Sequence, residues 1–80
     1  MPWLLTHTGE ALNSEHIYRL YAEKSKLKVA IAGLPVSATV AADLTPEGAE
    51  RMLRAIVEEL ASGFSVEVVH QEVRRLTGLR

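Results

Sequence analysis

The sequence predicts an α+β fold in which a small antiparallel β-sheet is covered on one face by an amphipathic helix. Short apolar segments alternate with turn residues over the first half of the chain, as strands and turns do. A longer segment with helical periodicity follows. The 80 residues suit a single domain, 1–80, made of a β-meander (1–44), a covering helix (45–63) and a C-terminal segment (64–80).

The expected helix carries start, periodicity and stop signals together. Thr45 is a suitable N-cap, Pro46 suits the first helical position, and Gly63 suits a left-handed stop. Apolar residues recur at the i, i+3, i+4, i+7 spacing of a buried stripe: Ala49, Met52, Leu53, Ile56, Val57, Leu60 and Ala61. We therefore expect a helix over residues 45–62 that packs on the sheet.

The meander is expected to contain four or five strands. Two short ones, 3–6 and 11–13, flank a turn at Gly9. Two longer strands, 17–23 and 26–32, follow. A tight turn at Gly33-Leu34 then leads into a last strand that includes Val36, Ala38 and Val40.

The central hairpin fixes its own register because only one alignment keeps an apolar face together. With Lys24 and Ser25 as the loop, the apolar pairs are Ala22 with Leu27, Leu20 with Val29, and Tyr18 with Ile31. The other face receives Arg19, Tyr21, Glu23, Lys26 and Lys28. We expect the first face to lie under the helix and the second to face solvent.

The C-terminal segment allows two interpretations. A helix over residues 66–77 fits the 3-4-3 spacing of Val66, Val69, Val73 and Leu76, with Ser65 as its cap. A strand fits the alternation of Phe64, Val66 and Val68, and the valines weaken helix propensity. The spacing favours the helix.

The composition limits the function classes. The chain has no cysteine, which excludes a disulfide, a cysteine zinc site and a thiol nucleophile. The net charge of −1 argues against a dedicated nucleic-acid binder. There is no membrane-length apolar run, and residues 1–5 are too short for a signal peptide, so we expect a cytoplasmic protein.

The strongest functional suggestion is self-association or binding of a protein partner. Val66, Val69, Val73 and Leu76 would form an apolar seam along the C-terminal helix. Packed on a second copy of the chain, this C-terminal seam would form a symmetric interface. Trp3, near the start of the chain, is suited to a core or an interface. The interface candidates are Trp3, Val66, Val69, Val73 and Leu76. The other interpretation is that the seam folds back onto the protein's own core.

A second hypothesis places nucleic acid on the outer sheet face. An exposed tyrosine among basic residues is how sheet proteins bind single strands, because bases stack on rings while cations meet phosphates. The candidates are Arg19, Tyr21, Lys26 and Lys28. Against it stand a single aromatic residue and Glu23 in the same patch.

No motif indicates an enzyme, a cofactor or a metal site. The histidines His7, His16 and His70 lack the spacing of a known metal motif. If the fold brought His7 close to the Glu15-His16 pair, their side chains could offer metal ligands. The hydroxyl residues lack a nucleophile elbow, and the glycines form no phosphate-binding loop. We expect no catalysis, no cofactor and no metal.

The opening of the chain resembles a group of small bacterial proteins. The shared pattern is W-x-x-T-x-x-G-E-x-x-N, here Trp3 to Asn13, followed by the strand at 17–21. The resemblance covers about residues 1–62 and implies a strand meander followed by one acidic helix. It assigns no functional residue, and the segment after Gly63 departs from the shorter members.

Overall fold

The computed structural model describes residues 2–69 and 71–76 of the chain. These residues form seven strands in two sheets and one α-helix, which confirms the α+β class. The elements are β1 (Trp3–Leu5), β2 (Ala11–Asn13), β3 (Ile17–Glu23), β4 (Lys26–Ile31), β5 (Ala38–Ala41), α1 (Pro46–Ala61), β6 (Ser65–Val69) and β7 (Glu72–Leu76). A short 3₁₀ helix, Ser14–His16, precedes β3.

One sheet, here called the mixed sheet, has the strand order β2-β1-β6-β7. Its centre is a parallel pair in which Leu4 of β1 lies beside Val66 of β6, and both side chains are fully buried. The other neighbours are antiparallel: β2 pairs with β1, and β7 pairs with β6. The two ends of the described chain therefore meet inside one sheet.

The other sheet, here called the meander sheet, has the order β3-β4-β5 and is antiparallel throughout. The predicted hairpin register is confirmed, with Ala22 opposite Leu27 and Leu20 opposite Val29. Lys24 adopts a left-handed conformation with φ of 55°, which a two-residue hairpin loop requires.

The expected single meander of four or five strands is replaced by these two sheets. Residue Asn13 ends β2, and its side-chain oxygen accepts a hydrogen bond from Glu15 N at 3.0 Å. This contact caps the 3₁₀ helix, which leads the chain out of the mixed sheet and into the meander sheet. The first two strands therefore pair with each other and with β6, not with β3.

The prediction that Tyr18 faces Ile31 is wrong. A β-bulge at this position brings Ile17 opposite Ile31 and Arg19 opposite Ala30, so Tyr18 has no partner across the strand pair. Its side chain is 71% exposed. A bulge inserts one extra residue into a strand. The alternation of apolar and polar residues in the sequence does not show where that extra residue lies.

A tight turn forms near Gly33, which has φ of 87°, and Leu34 N donates to Ile31 O at 3.1 Å, but the turn does not lead directly into the next strand as predicted. Strand β5 begins only at Ala38, and Leu34 and Val36 are exposed. The physical reason is Pro35, which has no N–H to donate to β4 and so delays the ladder. Val29 lies opposite Ala38, and a register shift between Leu27 and Lys28 then brings Leu27 opposite Ala41.

The second helix expected over residues 66–77 is absent from the described residues there, which form β6 and β7. The strand interpretation was correct: Val66 and Val68 point to one side and are buried. Valine favours strands because its branched Cβ is restricted in a helix and packs well on a pleated surface. Burial beside Leu4 decided the outcome over the 3-4-3 spacing.

Helix α1 packs against both sheets and closes one core. Ala49, Met52 and Ile56 of the predicted stripe are buried, whereas Val57 and Ala61, which the prediction also placed in it, are exposed. The core cluster combines the three buried residues with side chains from both sheets: Leu4, Leu27, Val29, Val40, Ala41, Leu44, Val66 and Val68. No helix among the described residues is long and apolar enough to cross a membrane.

The two sheets are also joined at one end by a histidine. The backbone N–H of His7 and its ring Nδ1 both donate to the carbonyl oxygen of Val40, at 3.0 and 2.8 Å. Because a carbonyl oxygen only accepts, Nδ1 carries the proton. The turn between β1 and β2 is thereby held against β5.

The helix start gives a stability prediction. Thr45 Oγ1 accepts a hydrogen bond from Gly48 N at 3.0 Å. Substitution Thr45→Ala removes this cap and should lower the free energy of unfolding by about 0.5–2 kcal/mol in urea titrations. The matched control Thr45→Ser keeps the oxygen and should stay within about 0.5 kcal/mol of the wild type. An equal loss in both variants would contradict the capping role.

Candidate interaction surfaces

Strand β7 is an open edge of the mixed sheet. It is last in the order β2-β1-β6-β7, and in the described part of the chain no strand lies on its outer side. An edge strand exposes a row of unpaired N–H and C=O groups that can pair with another chain. The ladder from Ser65–Leu76 to Val69–Glu72 runs without a register shift, so β7 is regular along its length.

The other long edge is less suited to pairing. Strands β3 and β5 are the two edges of the meander sheet. The bulge at Tyr18 interrupts β3, and β5 has only four residues, with a register shift in its pairing to β4. Bulges twist an edge away and are a common device against strand addition. Strand β2, the opposite edge of the mixed sheet, has only three residues. Strand β7 is therefore the most regular long edge in the described structure.

A groove runs beside β7 on the side covered by the helix. Its volume is about 310 Å³, and an adjoining hollow of about 270 Å³ extends it toward the helix start. The groove is lined by Gly48, Arg51, Met52 and Ala55 of α1 together with Gln71 and Val73. Because Gly48 and Ala55 have the smallest side chains, α1 leaves room beside the sheet edge. The groove therefore lies next to the position that a further strand would occupy.

The exposed face of β7 carries one charge of each sign. Glu72 and Arg74 are two residues apart, so their side chains point to the same side of the strand. Arg74 Nη2 donates to Glu72 Oε2 at 3.2 Å, and both side chains are more than half exposed. Such an exposed pair contributes little to stability. These charges are available to another chain.

The five predicted interface residues do not form one helical seam. Val66 is fully buried in the core, and Val73, on the same side of the mixed sheet, packs at the margin of that core. Val69 and Leu76 lie on the opposite side, where they are partly buried. Trp3 is 37% exposed, and its backbone N–H donates to the buried Ser65 Oγ at 2.8 Å. Trp3, Val69 and Leu76 thus border the outer face, and Val73 lines the groove.

The predicted basic face assembles on the meander sheet. Lys28 lies opposite Tyr21, and Arg19 and Lys26 share its face. The Arg19 guanidinium lies 4.5 Å from the centre of the Tyr21 ring, a cation–π contact. The Tyr21 hydroxyl donates to Ser37 Oγ at 2.7 Å.

Internal contacts occupy part of this basic face. Arg19 covers one side of the Tyr21 ring, and a stacked base would have to use the other side or displace it. Lys28 Nζ lies 3.6 Å from Glu23 Oε1, which offsets its charge. The face therefore presents a tyrosine among basic residues, but the Tyr21 ring already contacts Arg19 and the Lys28 ammonium already lies near Glu23.

The structure does not gather ligands for a metal among the residues it describes. No group of three or more His, Asp or Glu side chains there is close enough to hold an ion. His7 uses Nδ1 to bind Val40, and His16 is exposed in the 3₁₀ helix. His70 lies outside the described residues.

Sequence reasoning missed two parts of the candidate surface. The alternation of Glu72, Val73 and Arg74 is a strand signal with complementary charges, but it was hidden by the helical interpretation of the same segment. The groove depends on Gly48 and Ala55 standing next to an open strand edge, and this neighbourhood exists only in three dimensions.

Comparison with known proteins gives no further assignment. No protein-family model, curated protein or solved structure matches the chain. Its function is therefore inferred from its own surfaces, and the resemblance of its opening to small bacterial proteins stays a prediction.

Proposed function

We propose that this protein is a non-catalytic interaction module that self-associates through the open edge of β7. The observation that carries the proposal is a regular edge strand, unpaired on its outer side within residues 2–69 and 71–76, with a groove beside it. The backbone of an added strand would satisfy the free N–H and C=O groups of β7, and its side chains would enter the groove. A cytoplasmic location is part of the proposal.

Physical needs of a small chain support self-association. A domain of this size hides only about 60% of its unfolded surface, and many such domains gain stability by assembling. The chain has no disulfide to offer instead, since it has no cysteine. Incompletely buried apolar side chains lie on the outer face of the mixed sheet: Leu76 in β7, Val69 in β6 and Trp3 in β1.

The test is molar mass by light scattering, combined with hydrogen exchange at low and high protein concentration. We expect a dimer mass at high concentration, with slower exchange of the amides in Glu72–Leu76. The matched control is the other edge strand, Ile17–Glu23, whose exchange should not depend on concentration. A monomer mass at all concentrations, or protection of β3 instead of β7, would reject the proposal.

The alternative function is binding of single-stranded nucleic acid on the face of Arg19, Tyr21, Lys26 and Lys28. The observation in its favour is that these four residues share one sheet face. The engaged Tyr21 ring and the Lys28–Glu23 contact make it the weaker candidate.

This alternative predicts binding of an oligothymidylate that weakens as salt is raised, because cations released from phosphates drive it. The double change Tyr21→Ala, Lys28→Ala should abolish the binding, measured by fluorescence anisotropy. The control Arg54→Ala removes one positive charge from the exposed side of α1 and should leave binding intact. No binding at low salt would dispose of the alternative.

A further inference from the structure

We infer that the partner at β7 is a second copy of the same strand, antiparallel and centred on Val73. The inference rests on the proposed self-association and adds its geometry. In this arrangement a two-fold axis passes through the midpoint between the two Val73 residues. Glu72 of each copy then lies opposite Arg74 of the other.

Symmetry restricts the register. A two-fold axis perpendicular to a continuous sheet makes the two edge strands antiparallel and keeps both helices on one side. Residues directly opposite in an antiparallel pair share the same side of the sheet. The axis must then pass midway between two copies of the same residue. An axis placed between two neighbouring residues of the strand would set a residue of the helix-covered side opposite a residue of the exposed side.

Charge selects among the remaining registers. An axis at Arg74 sets two arginines directly opposite each other, and an axis at Glu72 sets two glutamates opposite each other. Like charges in such positions destabilise a strand pair. An axis at Val73 instead makes two Glu72–Arg74 pairs on the exposed side, related by the symmetry.

The helix-covered side agrees with the same register. It brings the two Val73 side chains opposite each other where the groove is lined by Met52 and Ala55. Arg75 of one copy then lies opposite Gln71 of the other, a pair without charge repulsion. Valine meets valine beside Met52 and Ala55, while Arg51 also lines the groove and Arg75 lies on the same side as Val73. Glu72 and Arg74, which form the oppositely charged pairs, lie on the exposed side.

Closure is the remaining reason to prefer self-pairing. Pairing β7 with the β3 edge of another copy would be head-to-tail and would build rings or open chains instead of a two-fold dimer. The bulge in β3 opposes this arrangement. Pairing of β7 with itself occupies the β7 edge of both copies, so the assembly stops at two copies.

The experiment reverses one charge in each of two variants and then mixes the two variants, so that the reversed charges can meet only between different chains. Glu72→Arg gives a chain in which two positive residues face each other across the axis, and Arg74→Glu gives two negative ones. Each variant alone should self-associate about tenfold or more weakly than the wild type, since two favourable cross-strand pairs become two repulsive ones. An equimolar mixture should form heterodimers, because each E72R position meets a carboxylate of the R74E chain.

The trans design separates contact between copies from the contact within one chain. Both variants lose the internal Glu72–Arg74 ion pair, so only pairing between copies can restore association in the mixture. The double variant E72R/R74E should also dimerise like the wild type. The controls Glu58→Arg and Lys26→Glu reproduce the same net charges at exposed positions away from β7 and should each still dimerise.

The outcomes distinguish the inference from the proposed function. A wild-type monomer overturns both. A wild-type dimer whose E72R and R74E variants remain dimers overturns the register and leaves self-association standing. Loss of association in both variants with no recovery in the mixture also overturns the register. Urea unfolding of each variant identifies any loss that comes from misfolding, in which case the milder Glu72→Lys replaces E72R.

Discussion

The parallel pairing of β1 with β6 is the contact on which the rest of the structure depends. It places Leu4 beside Val66, both fully buried, and Trp3 N donates to the Oγ of Ser65, 62 residues away in sequence. Parallel strands need a long crossover between them. Here the crossover consists of β2, the entire meander sheet and α1. Strand β6 is therefore part of the core, and cutting the chain after Gly63 would remove this central strand.

This pairing also determines which edge is exposed. Because β6 is held between β1 and β7, the hairpin partner β7 has one side that no other described strand pairs with. Its neighbour α1 has small residues, Gly48 and Ala55, along the same edge and does not cover it. The open edge is thus a consequence of how the core is closed. Its alternating charges, Glu72 and Arg74, are compatible with exposure and with pairing to an identical strand.

Local signals in the sequence were sufficient for the helix and the central hairpin. Thr45 caps the helix as predicted, and the pairing of Leu20 with Val29 follows from keeping an apolar face together. Both depend on residues close in sequence, so their patterns are complete within one segment. The basic face followed from the same register, since Tyr21 and Lys28 are direct neighbours across the hairpin.

Contacts between distant segments were beyond the same reasoning. Val66 and Val73 fit a helical spacing as well as a strand, and only burial next to Leu4 resolves the choice. The division into two sheets depends on Asn13 capping a 3₁₀ helix, which is a weak signal in sequence. The candidate interface could not be located from the sequence for this reason, because it is an edge created by long-range pairing.

The most direct measurement uses the absence of cysteine from the native chain. In a Val73→Cys variant every disulfide must join two molecules. Self-pairing of β7 centred on residue 73 predicts rapid formation of a disulfide-linked dimer under mild oxidation, because the two residues at the axis have Cβ atoms about 5 Å apart. The control Glu23→Cys, in the meander sheet, should link slowly. Equal rates for the two variants would contradict the claim that β7 pairs with itself.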